Sequence, residues 1–267
     1  MQYLIGLFIA FFIALTGVGA GTITVPVLVL FLGVPAAEAV GIGLLFASAV
    51  KAILVPAQVM RGNVAWRTLG FMLAGGVPGV LIGSLLLRGL VTAGEQNLLN
   101  AILGAILVLT AAWQLLFSFR PIDENRKRPD RSRLLGMLMF PVGAEVGFSS
   151  AGAGALGSAA LLSLTPLAPA QVVGTDIAFG FLISLIGSGA HWMTGGTNTT
   201  LLLHLIAGGV VGSVAGVLLS TRIPRRPLRL ALWIWLLILG GQFLLHSYRV
   251  HSATPSQTAT RFSQTHS

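Results

Sequence analysis

The sequence has no cysteine, and only 7 acidic residues and 2 tyrosines among its 267 positions. Without cysteine there is no disulfide, no thiolate-bound zinc or iron–sulfur centre, no thiol nucleophile and no persulfide relay. Charge is scarce as well: Asp, Glu, Lys and Arg make up 9% of the chain, against roughly 25% in a soluble globular domain. With 55% hydrophobic residues, this composition excludes a soluble protein. No glycine-rich stretch is followed by the Lys-Ser/Thr of a nucleotide loop, which removes an ATPase motif. His191 and His204, with Met193, have no Cys or carboxylate at ligand spacing, so neither a metal nor another cofactor is expected. The 16 Lys and Arg leave a net charge of +9. In a membrane protein that excess sets topology, and it does not argue for nucleic acid as a partner.

What remains is long apolar runs, at 3–32, 36–60, 65–87 and 98–119, then at 134–165, 170–193, 201–220 and 228–245. About 20 apolar residues cross a bilayer. Between the two sets lies RPIDENRKRPDRSR at 120–133, with six basic and three acidic residues and two prolines, a loop that belongs in water. The expected organisation is a membrane repeat at 1–119, a basic cytoplasmic loop at 120–133, a second membrane repeat at 134–246 and a disordered polar tail at 247–267. The N-terminal run has no basic start and no small-residue cleavage site, so it is expected to be the first membrane element.

Sliding the sequence by 133 residues without a gap aligns 17–87 with 150–220 and makes about 21 of 71 positions identical. The strongest blocks pair Gly19-Ala20-Gly21 with Gly152-Ala153-Gly154, Val40-Gly41 with Val173-Gly174, and Ala74-Gly75-Gly76-Val77 with Ala207-Gly208-Gly209-Val210. Internal repeats are a signature of secondary transporters, which expose a site between related halves alternately to each side. If the first element of each half enters and leaves on one side, Arg61, Arg67, the central loop and Arg222 to Arg229 share a face, leaving only Arg88, Arg249 and Arg261 opposite. That split of twelve to three beats the ten to five obtained when those elements are full crossings. The expected fold is therefore an all-α polytopic protein of the cell (inner) membrane with two inverted repeats of about four helical elements each. The first element of each repeat is broken or re-entrant at a Gly-rich run, and both termini are extracytoplasmic.

Those runs are Thr16-Gly-Val-Gly-Ala-Gly-Thr22 and Ser149-Ser-Ala-Gly-Ala-Gly-Ala155. Each glycine costs about 1 kcal/mol relative to alanine inside a helix, so three within five residues predict a break. Non-helical backbone at membrane depth must line a cavity or lie buried in protein. A helix restarting at Thr22 or Ala155 points free N–H groups and roughly half a positive charge into the membrane, which suits an anion. Gly19, Gly21, Gly152 and Gly154 are the candidate backbone donors, and Thr16, Thr22, Ser149 and Ser150 add hydroxyls. The second block, Gly75, Gly76, Gly79 and Gly83 with mates Gly208, Gly209, Gly212 and Gly216, is expected to let helices pack closely.

Duplicated halves that each open with a Gly-x-Gly-x-Gly run, followed by a Pro-containing turn and a second glycine-bearing helix start, resemble the TauE/SafE sulfite exporter family. The resemblance spans nearly the whole chain. Gly17, Gly19 and Gly21 match the first motif; in the second, Ser150 replaces the first glycine ahead of Gly152 and Gly154. In similar proteins the second helix of each half often begins Gly-Thr-Ser. Here the matches are Gly41-Ile42-Gly43, which lacks both hydroxyls, and Gly174-Thr175-Asp176, which makes Thr175 a further substrate-binding candidate. The resemblance implies movement of sulfite or another small sulfur oxyanion or organosulfonate.

Ionisable groups at membrane depth cost about 2.5–3.5 kcal/mol each and need a reason. Lys51 has three: snorkelling, pairing with Asp176 or Glu145, or contact with an anion. Asp176 is either a helix cap or a proton-coupling carboxylate. Glu145 is either a coupling or structuring group at the second glycine run or the acceptor of an interior hydrogen bond. The leading expectation is a secondary exporter of a small anion acting by alternating access, with that anion and the lipid bilayer as partners and a homo-oligomer left open. An anion channel, a membrane anchor subunit docking a partner through the basic loop, and an intramembrane enzyme are the alternatives; for the enzyme no nucleophile–base or metal constellation is evident.

Overall fold

A computed structural model describes residues 1–16, 19–118, 130–152, 154–192, 198–219, 228 and 230–242. Gly17, Val18, Ala153, most of the central loop, Arg222, Arg225, Arg226, Arg229 and the tail lie outside the described residues, as do the side chains of Thr16 and Ala155. The helices are α1 (Gln2–Thr16), α2 (Ala20–Leu32), α3 (Ala36–Met60), α4 (Trp66–Thr92), α5 (Gln96–Ser118), α6 (Leu134–Ser149), α7 (Ala155–Leu164), α8 (Pro169–Trp192) and α9 (Thr199–Leu219). A further helix, α10, spans Leu230–Gln242. No strand occurs among the described residues.

Five of these helices, α3, α4, α5, α8 and α9, are long and apolar enough to cross a membrane. The apolar runs at 3–32 and 134–165 are each divided at their glycines into two short helices, α1/α2 and α6/α7. At 1.5 Å per residue, the 15 residues of α1 span about 22 Å, short of the roughly 30 Å hydrocarbon core. α2 begins at Ala20, two residues before the expected restart at Thr22, and α7 begins at Ala155 as expected. α2 stops at Gly33, whose left-handed φ of 64° lets its N–H reach the Leu28 carbonyl. Next to α6, Asp130 accepts the Ser132 N–H at 3.0 Å, and Arg131 N–H donates to the Leu164 carbonyl at 2.8 Å, tying the entry of α6 to the end of α7.

Shifted by 133 residues, the helix starts of the first half fall within two residues of those of the second, and those of α3 and α4 coincide with those of α8 and α9. The packing repeats in the same register. α4 packs most extensively on α6, and its mate α9 packs in the same way on α1, the mate of α6. A Cβ at Gly75, Gly79 or Gly83 would collide with the carbonyl of Gly136, Phe140 or Ala144. At the mates Gly208 and Gly212 it would collide with the carbonyls of Tyr3 and Leu7, and at Gly216 it would lie 2.7 Å from that of Phe11. Every one of these pairs is offset by 133 on both sides. The Phe179 ring lies 2.6 Å from the Cβ position of Gly76, and its mate Phe46 lies 2.5 Å from that of Gly209. The glycine stripes thus let backbone meet backbone, and this close van der Waals packing is one of the forces that hold helices together where lipid is as apolar as leucine.

Residue numbers rise together along α1/α9 and α4/α6, as those contacts show. Along α3 and α8 they run in opposite senses: Gly41 meets His191, Leu44 meets Gly187, Lys51 meets Gly180 and Asn63 meets Gly174. Because α8 is the 133-residue mate of α3, these two equivalent helices lie antiparallel at the centre of the molecule, around buried Phe46, Phe179, Leu44 and Ile183.

Candidate functional site

The breaks at the two glycine runs bring part of the candidate set together. α2 has Gly19 as N-cap and α7 has Gly154, and neither start is covered by a side-chain cap. Among the described residues no side chain therefore takes up the first-turn N–H groups of either helix. Thr22 N–H turns back to the Gly19 carbonyl at 3.2 Å, and Leu156 N–H to that of Gly152 at 3.2 Å.

Ser150 sits at the meeting point. It terminates α6 in the left-handed conformation, φ 61°, and is the one non-glycine residue with positive φ among the described residues. Such a conformation costs a side-chain-bearing residue of order 1–3 kcal/mol, and glycine is the usual occupant. Ser150 is 5% exposed, and its Oγ has no hydrogen-bond partner among the described residues. It is wedged against α2, where a Cβ at Gly21 would strike both its carbonyl and its hydroxyl, and against α3, where Oγ lies 3.0 Å from the Cβ position of Gly43. Neighbouring Ser149 donates to the Glu145 carbonyl at 2.8 Å and accepts the Ala151 N–H at 3.3 Å, so its hydroxyl braces the turn. His191 reaches the same tip, with Nε2 3.1 Å from the Gly147 carbonyl.

A second cluster lies further along the α3/α8 seam. Lys51 is buried (8% exposed) with Nζ against the Cα of Gly180, and the charge facing it is Asp176, one turn earlier on α8. Asp176 (6% exposed) accepts the Ser158 hydroxyl of α7 at 2.8 Å through Oδ2, while Oδ1 lies over the Cα of Gly157 with no partner among the described residues. Thr175 accepts the Ala65 N–H at 3.0 Å and so sits at the start of α4. It is sixteen residues from His191 along α8, about 24 Å, and apart from the Ser150 tip.

Glu145 stands in neither cluster. Its carboxylate accepts the Thr110 hydroxyl of α5 at 2.5 Å and covers the Cα of Gly152, whose φ is 89°. One flank opens on an apolar groove of about 870 Å³ between α4, α5 and α6, lined by Leu86, Ile106 and Phe148 among others.

Sequence reasoning singled out neither Ser158 nor Thr110, the two hydroxyls that donate to the membrane carboxylates, nor Gly157 and Gly180, which make room for the Asp176 carboxylate and the Lys51 ammonium. A hydroxyl within an otherwise apolar run was the available signal. No group of three or more metal-binding side chains occurs among the described residues.

The family model described as "Sulfite exporter TauE/SafE" matches residues 3–243. The chain is 29% identical over 245 residues to the probable membrane transporter protein YjnA of Bacillus subtilis, an alignment covering 89% of this chain and 96% of that protein. It is also similar to probable membrane transporter proteins of Haemophilus influenzae, 29% identical with 78% of this chain and 80% of that protein covered, and Xylella fastidiosa, 25% identical with 80% and 82% covered. No solved structure matches the chain. The chain belongs to the sulfite exporter TauE/SafE family and is a multi-pass membrane transporter.

Proposed function

We propose that this TauE/SafE member is a secondary transporter that exports sulfite, or another small sulfur oxyanion or organosulfonate, by alternating access through the seam between its two halves. The two halves are inverted relative to each other, a reading supported by the antiparallel pairing of α3 with its mate α8. α1/α2 and α6/α7 are re-entrant hairpins, both termini face outward and the basic loop lies in the cytoplasm of a cell whose inner membrane holds the protein. Such an arrangement suits a site near the midplane that rocking exposes to either side.

The anion is held by the first-turn N–H groups after Gly19 and Gly154, with Gly21, Thr22, Ser149, Ser150 and Gly152 around them and Thr16 at the end of α1. Oriented backbone donors and helix dipoles replace the hydration shell. The single observation that carries this reading is Ser150: a buried hydroxyl without a partner among the described residues, kept in a glycine conformation against the bare start of α2. Its repeat mate is Gly17, so glycine is what the backbone asks for and the hydroxyl serves something else.

The test is uptake of radiolabelled sulfite into proteoliposomes, with thiosulfate, sulfate and a short sulfonate as competitors, comparing the native protein with Ser150→Gly. The substitution relieves the backbone and removes the hydroxyl. Saturable uptake with a KM raised several-fold in a protein at least as stable supports the site; unchanged KM removes Ser150 from it. Flux that does not saturate favours a channel.

A further inference from the structure

Asp176 occupies a particular place relative to α7. Its Oδ1 lies over Gly157 and its Oδ2 accepts from Ser158; these are the third and fourth residues of a helix that starts at Ala155. The protein's own carboxylate therefore stands at the start of the second half-helix, where the dipole favours negative charge. Gly43, at the equivalent position in the first half, puts no carboxylate at the start of α2. The start of α2 faces the neutral hydroxyl of Ser150 across Gly21, whereas the first turn of α7 has the Asp176 carboxylate beside it.

Lys51 is the counter-charge. It lies nine residues before the end of α3, about 13 Å of helix, and its ammonium rests in the space left by the missing side chain of Gly180 instead of reaching for the membrane surface. A buried charge that loses its partner is costly, so Lys51 and Asp176 are interdependent. Among the described residues, the other titratable groups on elements packed against α8 lie away from the pair: Glu38, at the start of α3, accepts the Asn198 N–H. Arg67 and Arg88 of α4 are exposed near its ends, Glu145 of α6 turns to Thr110 of α5, and α7 contributes the Ser158 hydroxyl.

We propose that Asp176 and Lys51 form the proton-coupling centre of the transporter. That role rests on the anion-transport reading above. A proton taken up by the Asp176 carboxylate neutralises the internal anion, and the Lys51 ammonium and the α7 start then hold the substrate. One proton thus moves with one monovalent anion and the pair crosses without net charge, outward whenever the outward anion gradient exceeds the inward proton gradient. When the anion leaves, the proton leaves Asp176 and the internal ion pair closes again. Unprotonated Asp176 repels a second anion from the site, which prevents uncoupled slippage.

Two assays on the full-length protein in proteoliposomes test this. Sulfite counterflow at equal pH reads anion exchange. Net uptake at constant external pH with varied internal pH reads coupling while the sulfite to bisulfite ratio at the entry face stays fixed. Native protein is expected to show counterflow and uptake accelerated several-fold by an alkaline interior. Asp176→Asn keeps counterflow and loses the acceleration; Lys51→Gln lowers counterflow more than tenfold, and Lys51→Arg recovers part of it. Should a single variant fail to fold, Lys51→Gln/Asp176→Asn removes both charges together and is expected to show no acceleration. Acceleration retained in Asp176→Asn or in the double variant overturns the proposal. Native net uptake that ignores internal pH overturns the proposal while the transport reading stands, whereas absence of any native sulfite counterflow overturns the sulfite reading on which it rests.

Discussion

Position 43 in α3 and position 176 in α8 are equivalent in the two halves, yet one is glycine and the other aspartate. The same split recurs at 51 and 184, lysine against serine, and at 12 and 145, phenylalanine against glutamate. Set against this, every close-packing glycine from 75 to 83 has its glycine mate, and each mate meets the equivalent backbone or ring. The halves share their scaffold and differ in their charge. A duplicated frame supplies two mirrored half-helix starts, and three asymmetric ionisable residues make those starts chemically unlike. Under the proposed function, the two half-sites differ in chemistry, one facing a neutral hydroxyl and the other a carboxylate, while the packing around them stays symmetric.

The sharpest way to break the comparison is to strike the scaffold on both sides. Gly79→Leu and its mate Gly212→Leu each drive a side chain into a facing carbonyl, and backbone cannot yield as a side chain does. Both are expected to abolish monodisperse protein in gel filtration, and equally; a large difference between them denies that the scaffold is symmetric. The next largest effect comes from making the halves alike. Gly43→Asp places a carboxylate beside Ser150 at the position equivalent to Asp176 and is expected to cut sulfite uptake by tenfold or more while the protein still purifies. Smaller is Ser150→Gly, which makes the second motif match the first. It should raise the thermal midpoint by a few degrees through relief of about 1 kcal/mol of backbone strain, and raise KM several-fold. The smallest is Glu145→Gln. The amide oxygen still accepts from Thr110, so uptake should stay within about twofold, whereas Thr110→Val leaves a buried acceptor unpaired and should cost about 1–3 kcal/mol in denaturation.

Much of the frame was legible because it is written in spacing. An ungapped 133-residue repeat, eight apolar runs and two glycine clusters are one-dimensional features. They specify where helices start, where two of them break and which faces must be small. The packing partners were less legible. That α1 lies on α9 and α6 on α4 depends on how the halves exchange their hairpins, and no local pattern carries it. At the site, Ser150 stood out as a departure from its motif, but its left-handed φ is a tertiary fact. Lys51 admitted three partners on paper because nothing in the chain says that Gly180 leaves an empty space four residues after Asp176. Thr175 looked like a ligand by motif, yet its hydroxyl accepts from Ala65 at the start of α4.

The exchange of hairpins has a consequence for how the chain is made. α1 finds its main partner only when α9 has been synthesised, some 203 residues after Thr16, which at about 5–20 residues per second is roughly ten to forty seconds. During that interval α1 lacks the helix whose glycines receive its backbone carbonyls. The nascent protein therefore depends on whatever the insertion machinery or the surrounding lipid offers as a temporary neighbour. Two fragments divided within the central loop should each remain incomplete alone and should assemble when produced together, because each carries the surface that the other's hairpin is waiting for.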